Sequence, residues 1–348
     1  ANGFARLDYF SDGSSAVTFI SEDGKTEVFQ VQTALTTKET LPLISEMPKN
    51  KTINTAILNE SEKDKMDKST FYKMLWGKRY REYFTKSATA PIAVLDTLYG
   101  GLQVAKKGGG HQSWTLRLED SKGKQYAMRS LDKNALRILE SNIFGTAYNI
   151  DEFEGTATEG IIYDFFSTSH PYMLLTLSPL AKAAGVNHAN AKLFYVPRQN
   201  ALGEFNEVYG DGLYFIEERP SDGWVNGEAY TRTLPEEKGE ITEFRSTQDM
   251  LEKLQENDSY SVDERSFIRA RLFDMLIGDW DRHADQYRWA EYEVDKNDKR
   301  FVAIPRDRDN AFPKFQGPAI SFLKWFTPLI RSWQTYEPTI KNLKWLND

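Results

Sequence analysis

Two short acidic segments hold the residue types that chemistry needs. The first reads Leu276-Ile277-Gly278-Asp279-Trp280-Asp281-Arg282-His283-Ala284-Asp285-Gln286, and the second Ile304-Pro305-Arg306-Asp307-Arg308-Asp309-Asn310-Ala311-Phe312. Between them Tyr287 to Val294 and Arg300 to Ile304 read as strands, separated by Asp295-Lys296-Asn297-Asp298, a turn composition. A hairpin returns the chain to the end where it began, so the loop before its first strand and the loop after its second lie side by side. Asp281 and Asp307 are therefore expected to face one small volume. Two like charges held together call for a cation or a shared proton. Magnesium or manganese fits, because hard cations take carboxylate and amide oxygens and leave positions for substrate phosphates. In that reading Asp307 is a metal ligand, the side-chain carbonyl of Gln286 a second, and Asp281 the base that orients an attacking hydroxyl. Asp309 and Asp285 are reserves, while Arg282 and His283 orient the loop. The competing reading is a salt-bridge network of Asp281, Arg282, His283, Asp307 and Arg308 at the mouth of a hairpin. A capped helix before the loop and two aromatic strands after it favour the site, since a site needs rigid support.

The supporting elements can be read from pattern. Ser261-Val262-Asp263-Glu264 is a capping box that starts a helix, and Ile268, Leu272, Met275 and Leu276 fall on one face that is expected to be buried. Gly278 ends that helix. Upstream, Leu7 to Phe10, Ala16 to Ile20 and Thr26 to Val31 form a meander turned at Asp12-Gly13 and Asp23-Gly24. The stretch from Thr33 to Ser69 is weaker and reads as a linker with some helix. From Ala93 to Lys133 the order is strand, Gly108-Gly109-Gly110, strand, Gly-containing turn, strand, which places a flexible loop over the end of an antiparallel sheet. Residues 156 to 184 are helical with a break at His170-Pro171 and a stop at Gly185. Leu193 to Val196 and Leu213 to Ile216 are strands, the second leading into Glu217-Glu218-Arg219-Pro220. His111, His170 and His188 are too scattered to make a metal site and read as structural.

Composition sets the outer limits. The 348 residues are 40% hydrophobic and 27% charged, enough for a sizeable core. A net charge of −7 without a polybasic arm argues against nucleic-acid binding. There is no Cys, which removes disulfides, thiolate metal sites and Cys nucleophiles together. No apolar run reaches the roughly 20 residues a membrane helix needs, so no span is expected in this piece. The chain starts at Ala1 without a basic-then-apolar leader, so a mature or excised piece of a longer protein is expected.

Gly278-Asp279-Trp280-Asp281-Arg282-His283 resembles the catalytic-loop motif of atypical kinases of the secretory-pathway casein-kinase, CotH, HipA and phosphoinositide-kinase groups, in which the Asp is the base. Pro305 to Phe312 is similar to their magnesium-binding segment. More closely, the chain resembles an uncharacterised family of Bacteroidetes envelope proteins that carry Gly-Gly-Gly-x-Gln-Ser/Thr, Glu-Glu-Arg-Pro and Gly-Asp-Trp-Asp-Arg-His, matched at Gly108 to Ser113, Glu217 to Pro220 and Gly278 to His283. In those proteins the region lies between a calcineurin-like phosphoesterase domain and an outer-membrane β-barrel related to BamA. The resemblance implies an α+β, two-lobed protein-kinase-like fold with a small N-terminal β element. Its parts would be 1–48, the tail of a preceding phosphoesterase-like domain, 49–92, a linker with helix, 93–220, an N-lobe, and 221–348, a C-lobe. It further implies an ATP- and magnesium- or manganese-dependent phosphotransferase acting on a hydroxyl, located in the periplasm or at the outer membrane, with a nucleotide and an outer-membrane barrel or other envelope proteins as partners. Gly108, Gly109 and Gly110 would cover the phosphates, and Arg129 would take the strand position of the phosphate-pairing Lys, with Lys133 nearby. Glu218 would lie in the hinge that borders an adenine pocket, and Glu159 or Asp164 would be the acidic partner from the following helix. Arg at a Lys position leaves a pseudokinase scaffold as the alternative. A metal-dependent hydrolase using Asp281, Asp307 and His283 is a third reading.

Overall fold

The computed structural model of the chain describes residues 3–10, 15–21, 23–32, 51–109, 113–133, 156–225 and 240–326. By its contacts the chain divides into Ala1–Pro42 and Leu43–Asp348. The first unit is an antiparallel meander of β1 (Gly3–Tyr9), β2 (Ser15–Ser21) and β3 (Thr26–Gln32). Its second turn closes on Gly24, whose φ of 78° suits the Gly of an Asp-Gly pair. The first turn, Asp12-Gly13, lies outside the described residues.

In the second unit β4 (Thr52–Thr55) pairs antiparallel with β5 (Ala88–Pro91), a pairing the sequence did not announce. The stretch between them, read as linker, is packed in place: Leu58, Met66 and Phe84 are buried with Tyr163 and Phe166. A five-stranded antiparallel sheet follows, made of β6 (Leu102–Lys107), β7 (Ser113–Asp120), β8 (Gln125–Lys133), β9 (Lys192–Val196) and β10 (Gly212–Arg219), in the order β6-β7-β8-β10-β9. The helices Ala157–Phe166 and Leu174–Ala183 lie in the chain between β8 and β9, the second ending at Gly185 with φ 63°. Strand β10 runs on through Glu217, Glu218 and Arg219, so those residues belong to the sheet and not to a connector.

A four-stranded sheet is formed by β11 (Glu240–Arg245), β12 (Tyr260–Val262), β13 (Tyr287–Asp295) and β14 (Asp298–Pro305), in the order β11-β13-β14-β12. Side chains alternate across the β13–β14 hairpin. Ala290, Tyr292, Val302 and Ile304 join the apolar core of the five-stranded sheet, while Tyr287, Trp289, Phe301 and Ala303 pack with Met250 on the other side. One apolar core therefore runs through both sheets. Helices and sheets together make the chain α+β. Among the described residues no helix is long and apolar enough to cross a membrane.

The helix before the first acidic loop departs from expectation in two ways. It spans Glu264–Ile277 and is capped by Asp263, whose side chain accepts the Ser266 N–H at 3.1 Å. Ser261 and Val262 belong instead to β12, drawn into parallel pairing with β14 through Ser261–Arg300 and Val262–Phe301. The buried face also differs. Ala270, Phe273, Asp274 and Ile277 point inward, whereas Ile268, Leu272 and Leu276 are 55%, 59% and 77% exposed. A buried acid, Asp274, sits on the inner face, and that charge hid the true stripe in the hydropathy pattern.

Candidate functional site

Gly278 closes the Glu264–Ile277 helix in the left-handed conformation, φ 67°, a geometry that costs glycine little. The chain then turns through residues 279–286 into β13. Arg282 gives that loop its shape. Its buried guanidinium donates to Asp279 Oδ2 at 3.2 Å and to the carbonyl oxygens of Arg306 at 2.7 Å, Asp307 at 3.1 Å and Gln286 at 2.9 Å. One side chain thus ties the loop before the hairpin to the loop after it. Beneath it Asp274, wholly buried, accepts hydrogen bonds from Arg308 Nε at 3.0 Å and the Tyr287 hydroxyl at 2.7 Å, and it pairs with Arg282 at 3.5 Å. Arg282 is a positioning residue.

Asp307 has φ 56°, a left-handed backbone rare in a residue with a Cβ and costing roughly 1–2 kcal/mol. That strain is held by the Arg282 contact and by a second arginine. Arg129 on β8 reaches across, giving Nη1 to Asp307 Oδ1 at 2.6 Å and Nε to Glu217 Oε1 at 2.9 Å. Lys133, four residues along the same strand, pairs with Asp309 Oδ2 at 2.8 Å. Burial works against the charge on Asp307, but the adjoining Arg129 outweighs it and holds the carboxyl down at about 2. Glu217 behaves oppositely, because burial raises its pKa more than Arg129 lowers it.

Asp281 lies in the same field. Burial first, and then the nearby carboxylates of Asp309 and Asp307, raise its pKa above the ordinary 3.8. Its Oδ2 accepts from Asn310 Nδ2 at 3.3 Å, and among the described residues it forms no ion pair. His283 is exposed, with Nε2 placed 3.1 Å from the amide nitrogen of Gln286. Asp285 is exposed, and its carbonyl oxygen takes Arg306 Nη2 at 3.0 Å. Arg282, Asp307 and Arg308 are thus engaged in ion pairs, as a salt-bridge network would have them, whereas Asp281 and His283 stand apart from it.

Among the described residues no three His, Asp or Glu side chains converge to cage a metal ion. The carboxylate oxygens of Asp307 and Asp309 nevertheless suit magnesium, which commonly takes one or two carboxylates and completes its shell with water and substrate phosphates. At the end of β6, Gly108 donates its N–H to Thr115 O at 2.7 Å, and a Cβ there would meet Thr115 Cγ2 at 2.7 Å. Gly109 has open space around it, and Gly110 and His111 lie outside the described residues.

Two expected positions lie away from this cluster. Glu218 sits on the opposite face of the sheet from Arg129, because Arg129 pairs with Phe215 and residues three apart on a strand face opposite ways. It accepts from Asn190 Nδ2 at 2.9 Å and lines a cavity with Tyr99, Tyr126 and Lys192. Asp164 is buried between Arg79 at 2.8 Å and Arg81, away from Arg129, and the side chain of Glu159 lies outside the described residues. The acidic partners of Arg129 are Glu217 and Asp307. Strand parity puts Glu217 on the face of Phe215 and Arg219, but only the pairing of β10 with β8 brings that face to Arg129. His170 packs against Tyr80 and Tyr83, and His188 bonds to the Val186 carbonyl at 3.0 Å, both structural settings. Comparison of the chain with protein-family models, curated proteins and solved structures finds no match.

Proposed function

We propose that the chain is an ATP- and magnesium-dependent phosphotransferase of the atypical kinase type, with a two-lobed kinase-like fold and a hydroxyl as acceptor. One observation carries the reading: Arg129, on the third strand of the five-stranded sheet, bonds Asp307 in the loop after the hairpin, and Asp281 stands in the facing loop. Protein kinases place a phosphate-pairing cation on their third strand, a metal-binding Asp after a hairpin and an Asp base in the catalytic loop. Here Arg129 and Lys133 hold phosphate oxygens, with Gly108 and Gly109 over them. Asp307, Asp309 and Gln286 would hold the metal, which would supply charge neutralisation at the phosphates. The acceptor oxygen forms a bond to the terminal phosphorus as the bond to the bridging oxygen breaks; the acceptor proton passes to Asp281, and the diphosphate leaves. The raised pKa of Asp281 suits a base that must take a proton and later release it. The envelope setting, with an outer-membrane barrel as neighbour, is supported by the motif resemblance alone.

The test is transfer of labelled terminal phosphate from ATP to a hydroxyl-bearing acceptor or to the chain itself. Wild type is expected to transfer and Asp281→Ala to lose at least a hundredfold, in line with removal of a general base. A second reading, a pseudokinase scaffold, is favoured by the double engagement of Arg129 by Glu217 and Asp307, which fills the place phosphates would take. Calorimetry with ATP and magnesium separates the two, since a scaffold without a nucleotide site gives no heat.

A further inference from the structure

The register of the five-stranded sheet gathers polar side chains on the face turned away from Arg129. Tyr126 on β8 stands directly opposite Glu218 on β10, and Lys192, the first residue of β9, stands opposite Ile216, two residues from Glu218. Residues paired across strands share a face, as do residues two apart on one strand, so Tyr126, Glu218 and Lys192 lie together. Two residues before Lys192, where β9 has not yet begun, Asn190 gives Nδ2 to Glu218 Oε2 at 2.9 Å. Tyr99 completes the wall from the short turn Leu98–Gly100 before β6. Its φ of 54° is a left-handed backbone that a tyrosine seldom takes, and its ring lies parallel to that of Tyr126, with centroids 4.8 Å apart and 5° between the planes. These five side chains and Ser178 line an open cavity of about 470 Å³, a size typical of small-molecule sites.

Two features of the cavity select its ligand. A buried tyrosine usually finds a hydrogen-bond partner for its hydroxyl, and Tyr126 does not: it is only 6% exposed, yet its hydroxyl bonds to none of the described residues. The Tyr99 hydroxyl is unbonded in the same way. Burial above all pushes both phenols up to about 12, so at neutral pH each can donate as well as accept. The second feature is that the charges balance. Glu218 is an acceptor, and Lys192, exposed at the rim with Nζ 5.6 Å from the centre of the Tyr99 ring, is a donor. An anion would meet Glu218 and a cation would meet Lys192, while an apolar molecule would give the two phenols nothing to bond. A zwitterionic amino acid would suit the charges and leave the phenols unused. A sugar uses every group: each of its hydroxyls donates and accepts, and the carbon face of its ring packs on the Tyr99 side chain.

We infer that this cavity binds a neutral saccharide of one or two rings, its hydroxyls bonded to Tyr99, Tyr126, Glu218 and Lys192. The site lies across the sheet from Arg129, so the inference stands apart from phosphotransfer. The test is saturation-transfer NMR on the whole chain with a panel of glucose, galactose, mannose, N-acetylglucosamine, maltose, lactose and chitobiose, followed by calorimetric titration of a sugar that binds. Wild type is expected to bind at least one of them. Tyr126→Phe removes only a hydroxyl without a partner in the protein, so its urea unfolding should match wild type while its affinity for that sugar falls roughly threefold to tenfold. Glu218→Gln, which keeps the shape of the side chain but loses its charge, should weaken binding by roughly tenfold. Asp281→Ala should bind as wild type, and sugar binding by a chain that transfers no phosphate would sink the kinase reading and leave this one standing. Binding of no sugar in the panel, unchanged affinity in both cavity variants, or displacement of the bound sugar by adenosine, which would return Glu218 to a nucleotide site, would each overturn the inference.

Discussion

At the scale of single residues, the contrast between Asp281 and Asp307 makes the sharpest claim. The two carboxyls share one field, yet burial and its neighbours push Asp281 up while Arg129 pulls Asp307 down. A base works only when deprotonated, so transfer activity should fall as pH drops through the raised pKa of Asp281, well before Asp307 takes a proton. The acid limb of kcat/KM is therefore expected above pH 3.8, the ordinary Asp value, and a limb at or below it would remove Asp281 from the role. Asp274 belongs to the same scale. It is wholly buried among Arg271, Arg282 and Arg308, and Asp274→Ala would strand those cations. Breaking a buried pair typically costs about 3–5 kcal/mol, so urea unfolding should show a loss of that order, and a loss below about 1 kcal/mol would contradict the network. The sequence displayed Asp281 and Asp307 openly, because turn and strand signals bracket them. It did not display Glu217 as the partner of Arg129. That choice depends on which neighbouring strand lies beside β8, and a single strand's pattern does not contain its pairing.

At the scale of elements, the Glu264–Ile277 helix shows where pattern misleads. Its end was legible, since Gly278 is both a propensity break and a residue at ease with positive φ. Its start was not, because β-pairing of Tyr260–Val262 with β14 competes with helix capping and wins. Its inner face was misread because Asp274 and Ala270 carry little hydropathy, whereas the outward Ile268, Leu272 and Leu276 carry much. The two faces make opposite predictions. Phe273→Ala removes a buried ring and is expected to cost about 3–5 kcal/mol in chemical unfolding. Leu276→Gln, at a position 77% exposed, should stay within about 0.5 kcal/mol of wild type. Equal losses would place Leu276 in a contact that the described residues do not contain.

At the scale of the second unit as a whole, the sequence conveyed β6 to β10 and the β13–β14 hairpin but not β4, β5, β11 or β12, and not the order β6-β7-β8-β10-β9, in which β9, the fourth of these five strands along the chain, lies at the edge. Nor did it convey that both sheets share one core, since apolar periodicity marks which side is buried and not against what. The link between the sheets that can be tested by pH is Arg129, on β8, with Asp307, just past the end of β14. A carboxyl whose folded pKa is depressed contributes stability that is complete above its unfolded pKa and is lost as pH falls through the folded one. For Asp307 that window runs from the ordinary 3.8 down to about 2. Glu217 has the opposite sign: its pKa is raised, so protonation relieves part of its burial penalty and adds stability on acidification. Urea unfolding of wild type and Asp307→Asn should therefore differ most at pH 7, differ nearly as much at pH 5, and converge as pH approaches about 2. A gap that stays constant down to that pH would mean that the Asp307 carboxylate is not held ionised by Arg129, and the electrostatic tie between the two sheets would have to be given up.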